Sequence, residues 1–259
     1  MPTEWSLPFL EPPAEQNARK YALLILNQPF SLPLLQKLWS STHWRCCADG
    51  GANRLHDVLA EPSVPKRTPE DDPRTTYLPD LIKGDLDSLR DDVREYYASQ
   101  NVSVVQDHDQ YSTDLMKCVF ALQEKEAAEG TQYDLVILGG LSGRLDQTVH
   151  TLSYLYKLRK TRERVFCVTD DNVAWLLDAG EHVIHVNHAY MGKTCGMLPL
   201  GIDSTILTTS GLEWNLTETE SHFDGMVSTS NHLVPGEPVR IKTTKPLFWT
   251  VELRVSALQ

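Results

Sequence analysis

The chain is short of several things, and each shortage argues against a class of protein. Lys and Arg number 24 against 35 Asp and Glu, a formal net charge of -11. That deficit argues against a nucleic-acid partner, because phosphate backbones are bound by clustered cations. No apolar run in the sequence approaches the roughly 18–20 residues that span a bilayer, so no membrane partner is expected. Only five cysteines occur, Cys46, Cys47, Cys118, Cys167 and Cys195, and no C-x-x-C is among them. The odd number, with Cys46 and Cys47 on opposite faces of any strand, suits reduced thiols rather than a disulfide framework. The first residues are acidic and broken by proline, without the basic head and apolar run of a secretory signal. A cytoplasmic setting is therefore expected.

Standard catalytic signatures are also missing. No G-x-G-x-x-G is present, and Gly196 and Gly201 begin a Walker A spacing that Ile202 and Asp203 then break. Neither H-E-x-x-H nor G-x-S-x-G occurs. His182, His185 and His188 look like a metal run, but in a strand His185 faces away from the other two, so structural or surface roles are expected.

What remains is an ordinary globular composition over 259 residues, 41% hydrophobic and 23% charged, enough for one large domain or two modest ones. Short apolar runs at 21–27, 44–48, 81–84, 102–106, 134–140 and 164–169 are mostly continuous rather than alternating. Continuity suits parallel strands covered on both faces. Helical spacing separates them, through Leu115, Val119 and Leu122 and through Leu145, Val149, Leu152 and Leu155. The pattern predicts an open α/β parallel sheet of the Rossmann-like kind over 19–177. From about residue 180 the helical spacing stops. Trp249, Val251, Leu253 and Val255 then alternate with polar residues, and 238–244 alternates similarly. An all-β sandwich is expected over 178–259. Residues 1–18 are expected to be a flexible segment. Residues 61–77, with four prolines and seven charges, are expected to form a mobile surface loop.

Four polar clusters each follow a predicted strand: ADGGAN at 48–53, GDLDS at 84–88, DQYSTD at 109–114 and GGLSGRLDQ at 139–147. Ligands of open α/β sheets bind at the carboxyl ends of the strands, so the clusters should converge. Asp85 and Asp87, two apart, can point the same way from an extended backbone. An isolated D-x-D is usually a solvated turn; beside three other clusters it favours a divalent cation, which could also carry phosphates into an acidic site. Asp114 opens a helix, where it either complements the helix dipole or supplies a third carboxylate. Asp49, Gly50, Gly51 and Asn53 form either a phosphate-approaching turn or a capped strand–helix turn. Arg144 is placed to meet a phosphate or to pair with Asp146.

In order and spacing these motifs resemble the eukaryotic thiamine pyrophosphokinases. The matching stretches are LILNQP (24–29), CADGGANRL (47–55), GDLDS, DQYSTD, GGLSGRLDQ, GLEWNL (211–216) and STSN (228–231). The resemblance covers nearly the whole chain and implies a nucleotide-binding catalytic domain followed by a thiamine-binding β-sandwich. It implies a homodimer with active sites at the subunit interface, and Mg²⁺-dependent pyrophosphoryl transfer from ATP to thiamine, giving AMP and thiamine diphosphate. By that resemblance Asp85, Asp87 and Asp114 hold Mg²⁺ and, with Arg144, carry catalysis. Asn27, Gln28, Asp49, Gly50, Gly51, Asn53, Gln110, Thr113, Gly140, Gly143, Asp146 and Gln147 line the nucleotide and phosphate site. Ser228, Ser230 and Asn231 lie near thiamine, and Trp214 is either an aromatic neighbour of its thiazolium or a buried core residue. The chain departs from the family pattern D-Q-D-x-T-D at Tyr111. Either that aspartate is dispensable, or Asp107 or Asp109 replaces it. The rival readings are another Mg²⁺-dependent pyrophosphotransferase or nucleotide hydrolase, and a catalytically silent thiamine-binding protein.

Overall fold

The structure, a computed structural model, describes residues 1–11, 19–61, 64 and 72–258. After β1 (Thr3–Trp5) the chain runs β2 (Tyr21–Ile25), α1 (Leu32–Ser41), β3 (Trp44–Ala48), α2 (Gly51–Ala60) and β4 (Leu81–Gly84). It continues through α3 (Asp91–Ser99), β5 (Ser103–Gln106), α4 (Asp114–Glu129), β6 (Asp134–Leu138) and α5 (Leu145–Leu158). Strands follow to the end: β7 (Val165–Val168), β8 (Asn172–Leu177), β9 (Gly180–Ile184), β10 (Met191–Leu198) and β11 (Thr205–Ser210). The last four are β12 (Thr219–Ser221), β13 (Ser228–His232), β14 (Val239–Thr243) and β15 (Leu247–Leu253).

Two compact units result, Pro13–Leu145 and Met1–Pro12 with Asp146–Gln259. In the first, strand order is β6-β2-β3-β4-β5, and every pairing within it is parallel. All five residues of β2 are buried, as are Leu135 to Leu138 of β6, so the continuous apolar runs do mark strands covered on both faces. α4 lies against β2, β3 and β4, burying Leu115, Cys118, Val119 and Leu122. From β2 the chain winds outward through β3, β4 and β5, then returns to β6 on β2's other side. The order reverses between β2 and β6, which is where open α/β sheets form a crevice.

The second unit holds two largely antiparallel sheets, β1-β9-β14-β11-β12 and β13-β10-β15-β8-β7. Trp5 from the first sheet meets Trp175 and Phe166 of the second at ring centroids of 5.8 and 6.2 Å. Trp175 and Trp249 are fully buried behind it, and each of these large rings contributes about 2–3 kcal/mol of apolar burial. As the alternation predicts, Trp249, Val251 and Leu253 face the interior.

Three expectations need correction. Within the opening segment, Thr3–Trp5 pairs with β9, and Trp5, Leu7, Phe9 and Leu10 are buried; four large apolar residues in ten gave the reason, and residues 12–18 lie outside the described chain. The run at 164–169 does form a strand, but it pairs antiparallel with β8 as a hairpin. Accordingly α5, β7 and β8 pack with the tail, and the compact division falls at residue 145/146 rather than 177/178. Most of the 61–77 loop is outside the described residues; its end forms a short 3-10 turn at Pro73–Thr76.

Candidate active site

The carboxyl ends of β3, β4, β5 and β6 carry the clusters that the sequence singles out. Asp49 follows β3 directly and is only 4% exposed. Its carboxylate, with those of Asp85 and Asp87 after β4, offers three oxygens within 4.8 Å of one another. Among the described residues this is the one group of His, Cys, Asp and Glu so placed. Asp114, expected as the third member, stands one step back. Its Oδ1 accepts the Asp85 N–H at 3.1 Å and the Lys117 ammonium at 3.3 Å. Lys117 is itself only 1% exposed, so Asp114 buttresses the Asp85 backbone while paired to a buried cation. The i,i+3 spacing of Asp114 and Lys117 on α4 was the available signal for that pair.

The residues suit a hard divalent cation. The donor set is all carboxylate oxygen, which matches Mg²⁺. Asp49 Oδ2 accepts the Ser88 N–H at 3.1 Å, whereas Asp49 Oδ1 is buried with no hydrogen-bond partner. A buried carboxylate oxygen left without a donor beside other carboxylates is costly unless something cationic meets it. Burial pushes the Asp49 pKa up, hydrogen bonds from Gly50 and Ser88 oppose the shift, and nearby Asp114 adds to it.

Backbone strain concentrates here too. Asp49 has φ 45° and Leu86, between the two aspartates, has φ 64°. Non-glycine residues in that region cost about 1–3 kcal/mol each and persist where the surroundings hold them. Leu86 turns the loop so that Asp85 Oδ1 accepts the Asp87 N–H at 3.1 Å. Gly84 allows the close approach of the two loops. A Cβ there would stand 2.7 Å from Asp49 Cβ and 2.9 Å from Asp114 Oδ1.

Several amides expected against a nucleotide serve the scaffold in this structure. Asn53 donates to Ser88 O at 2.7 Å and accepts the Arg90 N–H at 3.1 Å, fastening α2 to the GDLDS loop. Gln28 Oε1 accepts the Gly140 N–H at 2.8 Å and the Ser142 hydroxyl at 2.9 Å, while Nε2 donates to Ser142 O at 2.6 Å. Gln28 thereby ties β2 to the loop after β6, across the crevice where strand order reverses. That loop turns through positive φ at Gly139, Gly140 and Gly143. Asn27 Oδ1 accepts from Arg54 at 3.0 Å and its side chain abuts Gly50, beside Gly51 at the start of α2. Thr113 precedes α4 with its hydroxyl buried and unpaired. Gln110 is exposed and donates a long 3.4 Å bond to His108 O. Arg144 is exposed after Gly143, and Asp146 and Gln147 are exposed in the first turn of α5.

Tyr111 is 97% exposed, Asp107 pairs with Lys83 at 3.5 Å, and Asp109 caps its own turn by accepting the Tyr111 N–H at 2.9 Å. Neither Asp107 nor Asp109 joins the group of Asp49, Asp85 and Asp87.

In the second unit, Trp214 is 52% exposed rather than a core residue. Asn231 is 3% exposed. Its Oδ1 accepts the N–H groups of Trp214 at 3.2 Å and His232 at 2.8 Å. Its Nδ2 donates to Trp214 O at 2.8 Å and to Ser228 Oγ at 3.4 Å. Asn231 is thus a clamp for the Trp214 loop. Ser230, at φ 56°, lines a cleft of about 570 Å³ with Thr194, Thr229, Thr250, Asp171 and Glu252. Of the histidine run, His182 accepts the Trp5 indole N–H at 3.0 Å, and His185 lies 2.6 Å from Glu4, so no metal group forms there. Cysteine chemistry has no support: all five thiols are free and buried. Burial pushes Cys46, Cys47, Cys167 and Cys195 up, the last two to about 12.

Comparison with known proteins covers most of the chain. A family model described as "Thiamin pyrophosphokinase, catalytic domain" matches residues 35–167, and one described as "Thiamin pyrophosphokinase, vitamin B1 binding domain" matches 181–248. Thiamine pyrophosphokinase 1 of Oryza sativa subsp. japonica is 39% identical over 251 residues, 94% of this chain and 91% of that protein. Thiamine pyrophosphokinase 2 of Arabidopsis thaliana is 38% identical over 258 residues, covering 96% and 92%. The crystal structure of the yeast enzyme superposes with a TM-score of 0.84 at 28% identity, covering 99% of this chain and 92% of that one. With both family models matched in order and relatives this similar along nine-tenths of its length, the chain belongs to the thiamin pyrophosphokinase family.

Proposed function

We propose that the protein transfers a pyrophosphoryl group from ATP to the hydroxyl of thiamine, with Mg²⁺, releasing AMP and thiamine diphosphate. The observation that carries this reading is the carboxylate group Asp49, Asp85 and Asp87, oxygens within 4.8 Å, with Asp49 Oδ1 buried and unsatisfied. These three would hold the ion, with Asp114 steadying Asp85. When bound, Mg²⁺ neutralises phosphate charge and polarises the phosphoryl oxygens. The thiamine hydroxyl oxygen attacks the β-phosphorus in line. The new O–P bond forms as the bond to the α–β bridging oxygen breaks, AMP leaves with that electron pair, and the hydroxyl proton is released to solvent. Such transfers rely on position and charge more than on covalent chemistry by the protein. The strained turns at Asp49 and Leu86 fix the carboxylates in advance. Gln28 sets the loop that leads to Arg144, whose guanidinium is suited to charge on the moving group. Trp214, standing half out of the surface, offers an aromatic face to a thiazolium cation.

A coupled assay tests the reaction. AMP release from ATP and Mg²⁺ is expected only when thiamine is added, with thiamine diphosphate formed in equal amount. AMP or phosphate release at the same rate without thiamine would make the protein a nucleotide hydrolase. Binding of thiamine with no turnover would make it a silent binding protein.

Two further parts of the proposal concern setting. A homodimer accords with α5, which leaves Leu145 at 76% and Val149 at 55% exposure on one helical stripe. Sedimentation equilibrium is expected to give twice the 29.3 kDa chain mass; the chain mass at micromolar concentration would remove the dimer. Among the described residues no helix is long and apolar enough to cross a membrane. The free, buried cysteines accord with a cytoplasmic setting, which cell fractionation would test.

A further inference from the structure

An exposed tryptophan is useful to a ligand only if its ring is already held in place, since an indole free to rotate loses that freedom on binding. In this chain the Trp214 loop is held by three separate devices. Asn231 takes both main-chain polar groups of Trp214, as described above. Leu212 pairs with Leu233, and Glu213 donates its N–H to His232 O at 2.9 Å, so the loop is stitched to β13 and its continuation. The third device acts on the ring itself. The His232 imidazole lies 5.0 Å from the Trp214 ring, centroid to centroid, at an interplanar angle of 47°. Its Nδ1 in turn lies 2.6 Å from Glu213 Oε2. Glu213 precedes Trp214 in sequence and His232 reaches it from β13, the carboxylate holding the imidazole and the imidazole backing the indole.

We propose that His232, oriented by Glu213, is a positioning residue that presets the Trp214 indole for an aromatic cation and so sets affinity for the organic co-substrate. This rests on the reading of Trp214 as a thiamine contact. Only one ring of the pair is half exposed: the His232 side chain is 26% exposed and Glu213 53%. The carboxylate also places negative charge beside the ring, which favours a cation over a neutral ligand of the same shape. A purely structural surface brace would support the fold and leave substrate affinities untouched.

The test uses the full chain and steady-state kinetics with each substrate varied in turn. His232→Ala is expected to raise the thiamine KM about three- to tenfold, the usual range for an aromatic pair. The ATP KM and kcat should stay within about twofold. His232→Phe, which keeps a ring against the indole, should recover most of the thiamine affinity. Glu213→Gln should fall between wild type and His232→Ala. Trp214→Ala separates the two claims, because it should raise the thiamine KM by at least as much as His232→Ala. If Trp214→Ala leaves thiamine KM unchanged, the underlying reading of Trp214 fails. If Trp214→Ala raises it while His232→Ala and Glu213→Gln do not, the brace is overturned and the reading stands. Should His232→Ala fail to fold, His232→Phe and Glu213→Gln decide: equal, wild-type thiamine KM values in both, or a His232→Phe KM raised above that of Glu213→Gln, overturn the brace.

Discussion

Replacing Asp49 by Asn is expected to lower turnover by about 10³-fold or more while leaving the fold as stable as wild type, or slightly more so. The loss follows from several kcal/mol of charge stabilisation that a correctly held cation supplies, at about 1.4 kcal/mol per factor of ten. The unchanged or raised stability follows from burial. Asp49 is enclosed, its pKa is pushed up by that burial, and Oδ1 has no donor to satisfy it. An amide of the same shape still accepts the Ser88 N–H and removes a negative charge from beside Asp85 and Asp87. Asp85→Asn and Asp87→Asn should show the same loss of turnover. Asp114→Asn should be milder, because Asp114 supports Asp85 through its backbone. Turnover and thermal melting on the four variants check this pattern. An Asp49→Asn enzyme working near the wild-type rate would contradict it, as would an Asp114→Asn enzyme more damaged than the other three.

Gly84→Ala is expected to cost both activity and stability. The added methyl would come within 2.7 Å of Asp49 Cβ, which is fixed by a left-handed backbone and cannot swing aside as the tip of a long side chain could. Relief requires the β3 and β4 loops to part. Overpacking of this kind costs about 1–3 kcal/mol. A shift of about 1 Å among positioned groups can cost about 10² in rate. The outcome to look for is a lowered melting temperature together with a rate deficit that added Mg²⁺ does not restore. Wild-type kinetics and stability in Gly84→Ala would show that the close approach of the two loops has no bearing on function.

The two variants probe what the sequence leaves hidden. That the clusters after β3, β4 and β5 would meet was legible, because continuous apolar runs such as YALLI at β2 mark a parallel sheet, and such sheets gather their ligands at one edge. Which carboxylates the structure draws closest together was not. Asp49 reads in sequence as a turn residue or helix cap, and only its left-handed backbone turns its carboxylate toward Asp85 and Asp87. Asp114 has the right residue type and place, but Lys117 and the Asp85 N–H engage one of its oxygens. Asn53, Gln28 and Asn231 sit in the right motifs too. Which partner an amide takes depends on loops dozens of residues away, so spacing alone could not separate clamps from ligand contacts. The same holds for the opening residues. Trp5 is buried through β9 and Trp175, partners far along the chain that the apolar residues at 5–10 signal only as burial and do not identify. The antiparallel turn of β7 into β8 was missed for a related reason: an apolar run of four residues fits either direction of pairing.

Everything proposed for the reaction depends on a divalent ion seated between Asp49, Asp85 and Asp87. Titrating Mn²⁺, as a spectroscopic substitute for Mg²⁺, into the full chain with a non-hydrolysable ATP analogue reads that seat without any catalysis. Wild-type protein should bind the ion, and both Asp49→Asn and Asp85→Asn should weaken binding at least tenfold with the melting curve intact. Equal affinity in wild type and both variants would place the ion elsewhere and contradict the assignment.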